Sequence, residues 1–573
     1  MTTAVSKPRA HDQDGGRSLP APSVGLALRV AITFWAAGLC CLAQDATSAA
    51  CAACHDVGTK VGKSAHAAVA CATCHQKHEE FPHPEGIPKP VCGSCHEQVT
   101  ADFGRGVHAQ ETRKGNAAAP DCATCHGAAH EIQNTKSTAF RTTVPGTCGM
   151  CHSDIAKAYQ ASVHGKAVAR GVTQAPICTD CHGEHSILPP SNTASMVNRR
   201  NVSETCGNCH GDVRLARKFG LPPDRIVSFE ASFHGMASKS GSQTVANCAS
   251  CHGVHNILPS SDPRSTINAR NLAVTCGHCH PAAGQRFVIG QIHVGEGHGE
   301  AAAVGWVRHF YLWLIPIVIG LMLLHNAGDW ARKLYKLRLS RASMSTVRAT
   351  SEPQLRMFAF ERLQHVLLAA SFVILAWSGF ALKSPGEWWA RPMLLWEGSL
   401  PVRSVVHRVA AVVFVAVTVM HVISLLTNSK LRLHWRELLP AWRDLNQAAG
   451  MFRYNLGALR KRPELSSHSY VEKAEYWAVV WGGVVMILTG VLLWANNAVL
   501  AWLPKIVLDV AVAVHFYEAV LATLAILVWH FYSVIFDPDV YPMDTAALTG
   551  FSARNRDPEE PTVHISKGPT PSL

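Results

Sequence analysis

Apolar and polar positions divide the chain into two unlike halves. From position 306 onward the apolar residues gather into five stretches, at 306–327, 363–383, 403–427, 475–497 and 508–534. Each is about 20 residues or longer, enough for a helix rising 1.5 Å per residue to cross a hydrocarbon core of roughly 30 Å. Five membrane-spanning helices are therefore predicted. Residues 44–305 have few long apolar runs and are rich in Gly, Pro, Ala and Thr. Ahead of them a polar stretch with Lys7, Arg9, Arg17 and Arg29 leads into the apolar run 30–43 and then small residues, the layout of a signal peptide over 1–43. Cleavage there removes Cys40 and Cys41; an uncleaved anchor is the alternative.

Charge between the spans orients them. Arg332, Lys333, Lys336, Arg338, Arg341, Arg348, Arg356 and Arg362 fill the first loop. The third holds Lys430, Arg432, Arg436, Arg443, Arg453, Arg460, Lys461, Arg462 and Lys473, while the other two loops carry only Arg391 and Lys505. Basic loops stay in the cytoplasm, which predicts 44–305 in the periplasm of a bacterial inner membrane and a cytoplasmic tail over 537–573. The net charge of +12 reflects those loops, and no nucleic-acid-binding motif accompanies it. A lipid bilayer is the expected partner, and nucleic acid is not.

The first half is unusual in its cysteines and histidines. Eighteen of the 20 cysteines fall in nine C-x-x-C-H motifs. These are Cys51, Cys54 and His55; Cys71, Cys74 and His75; Cys92, Cys95 and His96; Cys122, Cys125 and His126; Cys148, Cys151 and His152; Cys178, Cys181 and His182; Cys206, Cys209 and His210; Cys248, Cys251 and His252; and Cys276, Cys279 and His280. Two cysteines three apart can each form a thioether to one haem vinyl group while the next histidine reaches the iron. Nine covalent c-type haems are expected, and a disulfide framework has almost no thiols left to use.

The motifs recur in repeats. His108 precedes Cys122, His164 precedes Cys178 and His234 precedes Cys248 at one identical spacing, and in each case a second motif follows the first at a nearly constant interval. His66 heads a shorter copy, and the motif at 51–55 stands alone in front. Such repetition implies a unit copied along an extended array, with about 29 residues per haem and little room for an aliphatic core. Nine further histidines occupy recurring places: His66, His108, His164 and His234 lead, His78, His130, His185 and His255 follow a motif, and His293 closes the array. They are the expected second ligands of nine bis-histidine irons. His83, His278 and His298 fall outside the pattern.

Histidines inside the predicted spans are costly to bury and mark function. His407 and His421 share the third span, and His515 and His530 share the fifth. Within each pair the spacing is close to four helical turns, so both rings lie along one helix face at two depths. His365 opens the second span, so either His365 or His421 can complete the cytoplasmic-side site.

The repeats, with C-x-x-C-H-G-x-H at 178–185 and 248–255, resemble the low-potential multihaem cytochromes c. ERLQHVLLAASFVILAWSGF at 361–380, HR at 407–408, KAEYW at 473–477, LTG at 488–490 and WHFY at 529–532 resemble the dihaem cytochrome b subunits of formate dehydrogenases and nickel-iron hydrogenases. That resemblance implies two b haems, with His365 paired to His530 and the quinol site near them. The expected fold is an extended, mostly irregular and short-helical multihaem cytochrome c array over 44–305, followed by an all-α transmembrane bundle over 306–536. The combination resembles the inner-membrane quinol oxidoreductases of metal-respiring bacteria. It implies that electrons pass from a membrane quinol through two b haems to nine c haems and on to periplasmic cytochromes or a terminal acceptor. Glu361, Arg362 and Glu475 are candidates for quinone contact, with ordinary interfacial charge as the alternative. A terminal reductase of the nitrite or tetrathionate type, or a wiring subunit of a separate dehydrogenase, are the other readings.

Overall fold

The computed structural model describes residues 50–552, with gaps at 76–81, 84, 86–88, 223, 282, 285–287, 289–292, 294–301, 343–353, 398–399 and 466–467. The predicted signal peptide, His78, His298 and the last part of the predicted tail lie outside the described residues. The chain divides into two compact units, Met1–Lys157 with His164–Leu188 and Ala158–Val163 with Pro189–Leu573.

In both units most C-x-x-C-H motifs close into short helical turns, and neighbouring residues dictate where each turn starts and stops. Asp121 caps Cys122–His126: its carboxylate accepts the Thr124 amide at 2.9 Å, and Thr124 Oγ1 accepts the Asp121 amide at 3.3 Å. Asn247 and Ser250 form the same reciprocal cap on Cys248–His252 at 3.1 and 3.2 Å. These caps satisfy amides that a helix start leaves open. Gly127, Gly183 and Gly253 then turn the chain at φ +94°, +85° and +80°, where an L side chain is strained. The backbone thus leaves the motif abruptly and brings the next histidine round two or three residues later.

One backbone bond recurs between successive repeats. In the first unit Ala65 N–H donates to Ile132 O at 2.7 Å and Val107 N–H to Ile187 O at 2.8 Å; in the second Val163 N–H donates to Ile257 O at 2.9 Å. Each donor precedes a leading histidine, and each acceptor lies two residues beyond a trailing one. The second unit also repeats its turns side chain for side chain. Asn201 Nδ2 donates to Ser195 O at 2.8 Å and Asn271 Nδ2 to Ser265 O at 2.9 Å, while Thr205 and Thr275 hydroxyls donate to Met196 O and Thr266 O, each at 2.7 Å.

Among the described residues five helices, all in the second unit, are long and apolar enough to cross a membrane. They are α1 (Ala302–Ala342), α2 (Ala359–Lys383), α3 (Val402–Thr427), α5 (Tyr470–Trp494) and α6 (Lys505–Ala525), the last continued by π-helical turns at Ile526–His530 and Tyr532–Phe536. Between α3 and α5 lies the shorter α4 (Trp442–Asn455), which the apolar pattern did not predict because its polar and apolar positions alternate on opposite faces. Helix α2 packs on α3, α5 on α6, and α1 on α6.

Helix α1 runs well past the predicted 306–327 because its later polar residues find partners. Asn326 Nδ2 donates to Val528 O at 2.7 Å, inside the first π turn. Lys333 lies 2.8, 2.7 and 3.0 Å from Asp329, Asp537 and Asp539, and Tyr532 donates to Asp329 at 2.7 Å. Deeper in the helix Tyr311 donates to the buried Glu518 at 2.8 Å. The beginning of the predicted tail is ordered too: Phe551–Ser552 pairs antiparallel with Gln354–Leu355 just before α2. Gly550 permits this at φ +92°, where a Cβ would stand 2.8 Å from Met357 O.

Candidate functional site

A metal-bound imidazole nitrogen lies about 2.0–2.1 Å from the metal and roughly 1.1 Å from its own ring centre, so two imidazoles across one iron stand ~6.3 Å apart centre to centre. This spacing recurs in the structure. In the first unit His55 faces His83 at 6.2 Å, His66 faces His96 at 6.1 Å, His75 faces His130 at 5.9 Å, His108 faces His152 at 6.5 Å, and His126 faces His185 at 5.9 Å. In the second His234 faces His280 and His252 faces His293, each at 6.2 Å. Every one of these pairs contains one C-x-x-C-H histidine and one other, and the separation fits an iron between them.

The pairing follows a rule. A leading histidine faces the second motif of its own repeat, as His108 does His152 and His234 does His280. The first motif faces the histidine that follows a motif in the next repeat, as His75 does His130 and His126 does His185. His83, which the repeat pattern sets aside, is the ring opposite His55; an isolated front motif has no leading histidine, so its partner has no repeat position to be found by. His164 lies in the helix Val163–Ala169, His182 and His210 end the turns Cys178–His182 and Val202–His210, and His255 follows Gly253.

Among the described residues the thiols form no disulfides. Cysteines of different motifs also adjoin: Cys51 lies beside Cys71, Cys92 beside Cys122, Cys125 beside Cys148, Cys148 beside Cys178, Cys206 beside Cys248, and Cys251 beside Cys276. Consecutive attachment points are thus near neighbours within each unit.

The same spacing appears twice in the helix bundle. His407 of α3 faces His515 of α6 at 6.5 Å, and His365 of α2 faces His530 in the π turn at 6.2 Å. His515 and His530 are separated by about 22 Å of helix, so the two pairs lie at different depths. Supporting groups fix which nitrogen faces inward. The Ser378 hydroxyl donates to Ile374 O at 2.6 Å, so at its 2.8 Å contact with His407 the ring Nδ1–H is the donor. Thr489 donates to Val485 O at 2.7 Å and likewise accepts from His515 Nδ1 at 2.8 Å. Glu475 stands 3.3 Å from His530 Nδ1 and accepts the Ser533 hydroxyl at 3.0 Å. In all three the Nε2 lone pair is left for a metal. Gly379 and Gly490, next in chain to Ser378 and Thr489, lie against the Cε1 atoms of His407 and His515 at 3.7 and 3.5 Å from an added Cβ, which keeps the rings clear.

His421 stands apart from these pairs. Its Nδ1 is 3.4 Å from Gln364 Oε1 and its Nε2 3.1 Å from the Tyr476 hydroxyl, with Trp435 packed on it at 4.8 Å. Of the two candidates for His530's partner, His365 is the one the fold brings there. His309 bonds Gly305 O of its own helix at 2.7 Å, and His325 bonds Tyr470 at 2.6 Å. Glu361 and Arg362 are engaged at the start of α2: Glu361 Oε2 accepts the Phe358 amide at 2.8 Å, and Arg362 donates to Leu548 O at 2.6 Å. Among the described residues Glu361 Oε1 is buried without a partner. A cleft of about 460 Å³ opens nearby, lined by Phe358, Phe360, Met420, Ile423, Thr427 and Leu431 among others.

The sequence pattern does not single out the supporting Ser378 and Thr489, although each sits in a hydroxyl–glycine pair, Ser378–Gly379 and Thr489–Gly490, near the same end of its helix. No curated protein and no solved structure matches the chain. Residues 356–544 match the family model of prokaryotic cytochrome b561, and with five long apolar helices this supports a multi-pass cytochrome b membrane domain for the C-terminal region, binding b haem and moving electrons across a membrane.

Proposed function

We propose that the chain oxidises a membrane quinol and delivers its electrons outward, through the helix bundle, to the nine-motif array and on to a periplasmic or extracellular acceptor. The observation that carries this reading is the presence, in one chain, of the same iron-width histidine pairs in both halves. Bound haem supplies the redox chemistry, each iron accepting and passing on one electron at a time. His365, His530, His407 and His515 would hold the two b haems, and the C-x-x-C-H residues together with the histidines that face them would hold nine c haems. His83 takes the place opposite His55.

The residues at the basic-loop end serve the quinol. An open, largely apolar cleft suits a ring with an isoprenoid tail. Phe358 and Phe360 line it, and Glu361 follows in α2 with one buried carboxylate oxygen free to accept a hydroxyl proton. Glu475 holds His530 in the tautomer that presents Nε2. The positive-inside rule puts this end at the cytoplasm, so protons leave inward while electrons move outward. The second imidazoles that face seven of the nine motif histidines favour a conduit over a terminal reductase, which requires an open iron.

The test uses the purified full-length protein in proteoliposomes with the array outside. Added quinol should reduce the c haems, and an interior-positive potential should slow that reaction, since moving one charge fully across 100 mV costs about 2.3 kcal/mol. A rate indifferent to potential, or c haems that dithionite reduces and quinol does not, refutes the proposal.

A further inference from the structure

The last C-x-x-C-H histidine touches the membrane domain. His280 Nδ1 lies 2.8 Å from Asn497 Oδ1, on the short helix Asn496–Trp502 between α5 and α6. If Nε2 of His280 binds iron, Nδ1 carries the proton and the Asn497 carbonyl oxygen accepts it. The facing ring supports the same placement. His234 lies in the helix Phe233–Lys239, which packs against α2. It also feels the charge of Lys505, the first residue of α6, itself bridged to Asp509 at 2.7 Å. His515 lies further along α6, about 15 Å of helix from Lys505.

We propose that Asn497 is a positioning residue for His280: it docks the last haem-binding motif on the outer end of the bundle and makes that imidazole a stronger donor to its iron. This rests on the haem reading given above. The pair His234–His280 is then the junction between bundle and array. An acceptor on Nδ1–H raises the basicity of a ligating imidazole and so favours the oxidised iron. The other motif histidines have no need of this residue, so its effect is confined to one haem of the nine.

The experiment compares the full-length protein with Asn497→Leu and Asn497→Asp. Redox titrations followed by visible and electron paramagnetic resonance spectra read the individual low-spin haems. With Leu, one c haem should shift about tenfold in its one-electron equilibrium toward the reduced form, ~59 mV upward. With Asp it should shift the opposite way. Covalent haem content and both b-haem potentials should stay as in the parent. Opposite shifts from two substitutions cannot come from misfolding. If the Leu protein does not accumulate, the Asp protein decides alone, and an unshifted titration overturns the proposal. Peptide mass spectrometry showing no haem on Cys276 and Cys279 of the parent would instead refute the haem reading itself.

Discussion

The array and the helix bundle build the same histidine pair by opposite means. In the array the buried apolar side chains are few and mostly small, such as Ala109, Ala175, Ile177, Ala216, Ala237 and Leu258. Its helices run from four to 12 residues, too short to persist on their own. Geometry there comes from capped turns, left-handed glycines and one backbone bond per junction. In the bundle the spanning helices run from 21 to 41 residues, and the histidines are fixed by side chains of neighbouring helices: Ser378, Thr489 and Glu475. Its outward surface is apolar, with Trp306, Trp442 and Trp502 at 77%, 84% and 78% exposure near helix ends, as an interface with lipid headgroups favours. On the haem reading proposed above, one half would depend on its cofactors for shape, and the other holds its shape in order to receive them.

Blocking haem attachment tests that contrast most strongly. Protein made without covalent haem maturation should lose the ordered array, seen as rapid proteolysis of 50–293, while the bundle keeps its helicity and its extractable haem. Equal survival of both halves would remove the distinction. Next in size, His530→Ala should cut the acid-acetone-extractable haem from two per chain to one and stop quinol-driven reduction of the array, whereas His421→Ala should keep both haems; a pyridine haemochrome assay decides. His83→Ala should introduce a single high-spin iron in the electron paramagnetic resonance spectrum and His78→Ala none, and the reverse result would reassign the first motif. The smallest effect belongs to the supporting hydroxyls. Ser378→Ala or Thr489→Ala should each remove one hydrogen bond of about 1 kcal/mol, moving one b-haem potential by roughly 40 mV and leaving haem content unchanged.

Much of this architecture is legible in the sequence. Haem motifs are contiguous, so C-x-x-C-H announces itself, and spans announce themselves by length. The histidines that face the motifs are another matter. His75 and His130 are far apart in the chain, as are His126 and His185, and nothing local to either says that a repeat supplies its neighbour rather than itself. His83 escapes because recurrence is the criterion and the front motif does not recur. The choice between His365 and His421 lies open in the sequence because both sit near the same depth. Only the packing of Gln364 and Tyr476 around His421 takes its nitrogens out of contention. Ser378, Thr489 and Asn497 are ordinary polar residues until the ring they support is in view.

The borrowing of a histidine from the following repeat gives the array a direction in time. A chain emerges N-terminus first, so His75 is made well before the His130 that faces it, and His126 likewise before His185. In the first unit each of these repeats is finished by its successor. On the haem reading proposed above, truncating the array from its C-terminal side would leave one iron at the new edge short of a histidine. Truncation from the N-terminal side removes only repeats on which no later iron depends. An array of this kind can be lengthened at its front more safely than at its back.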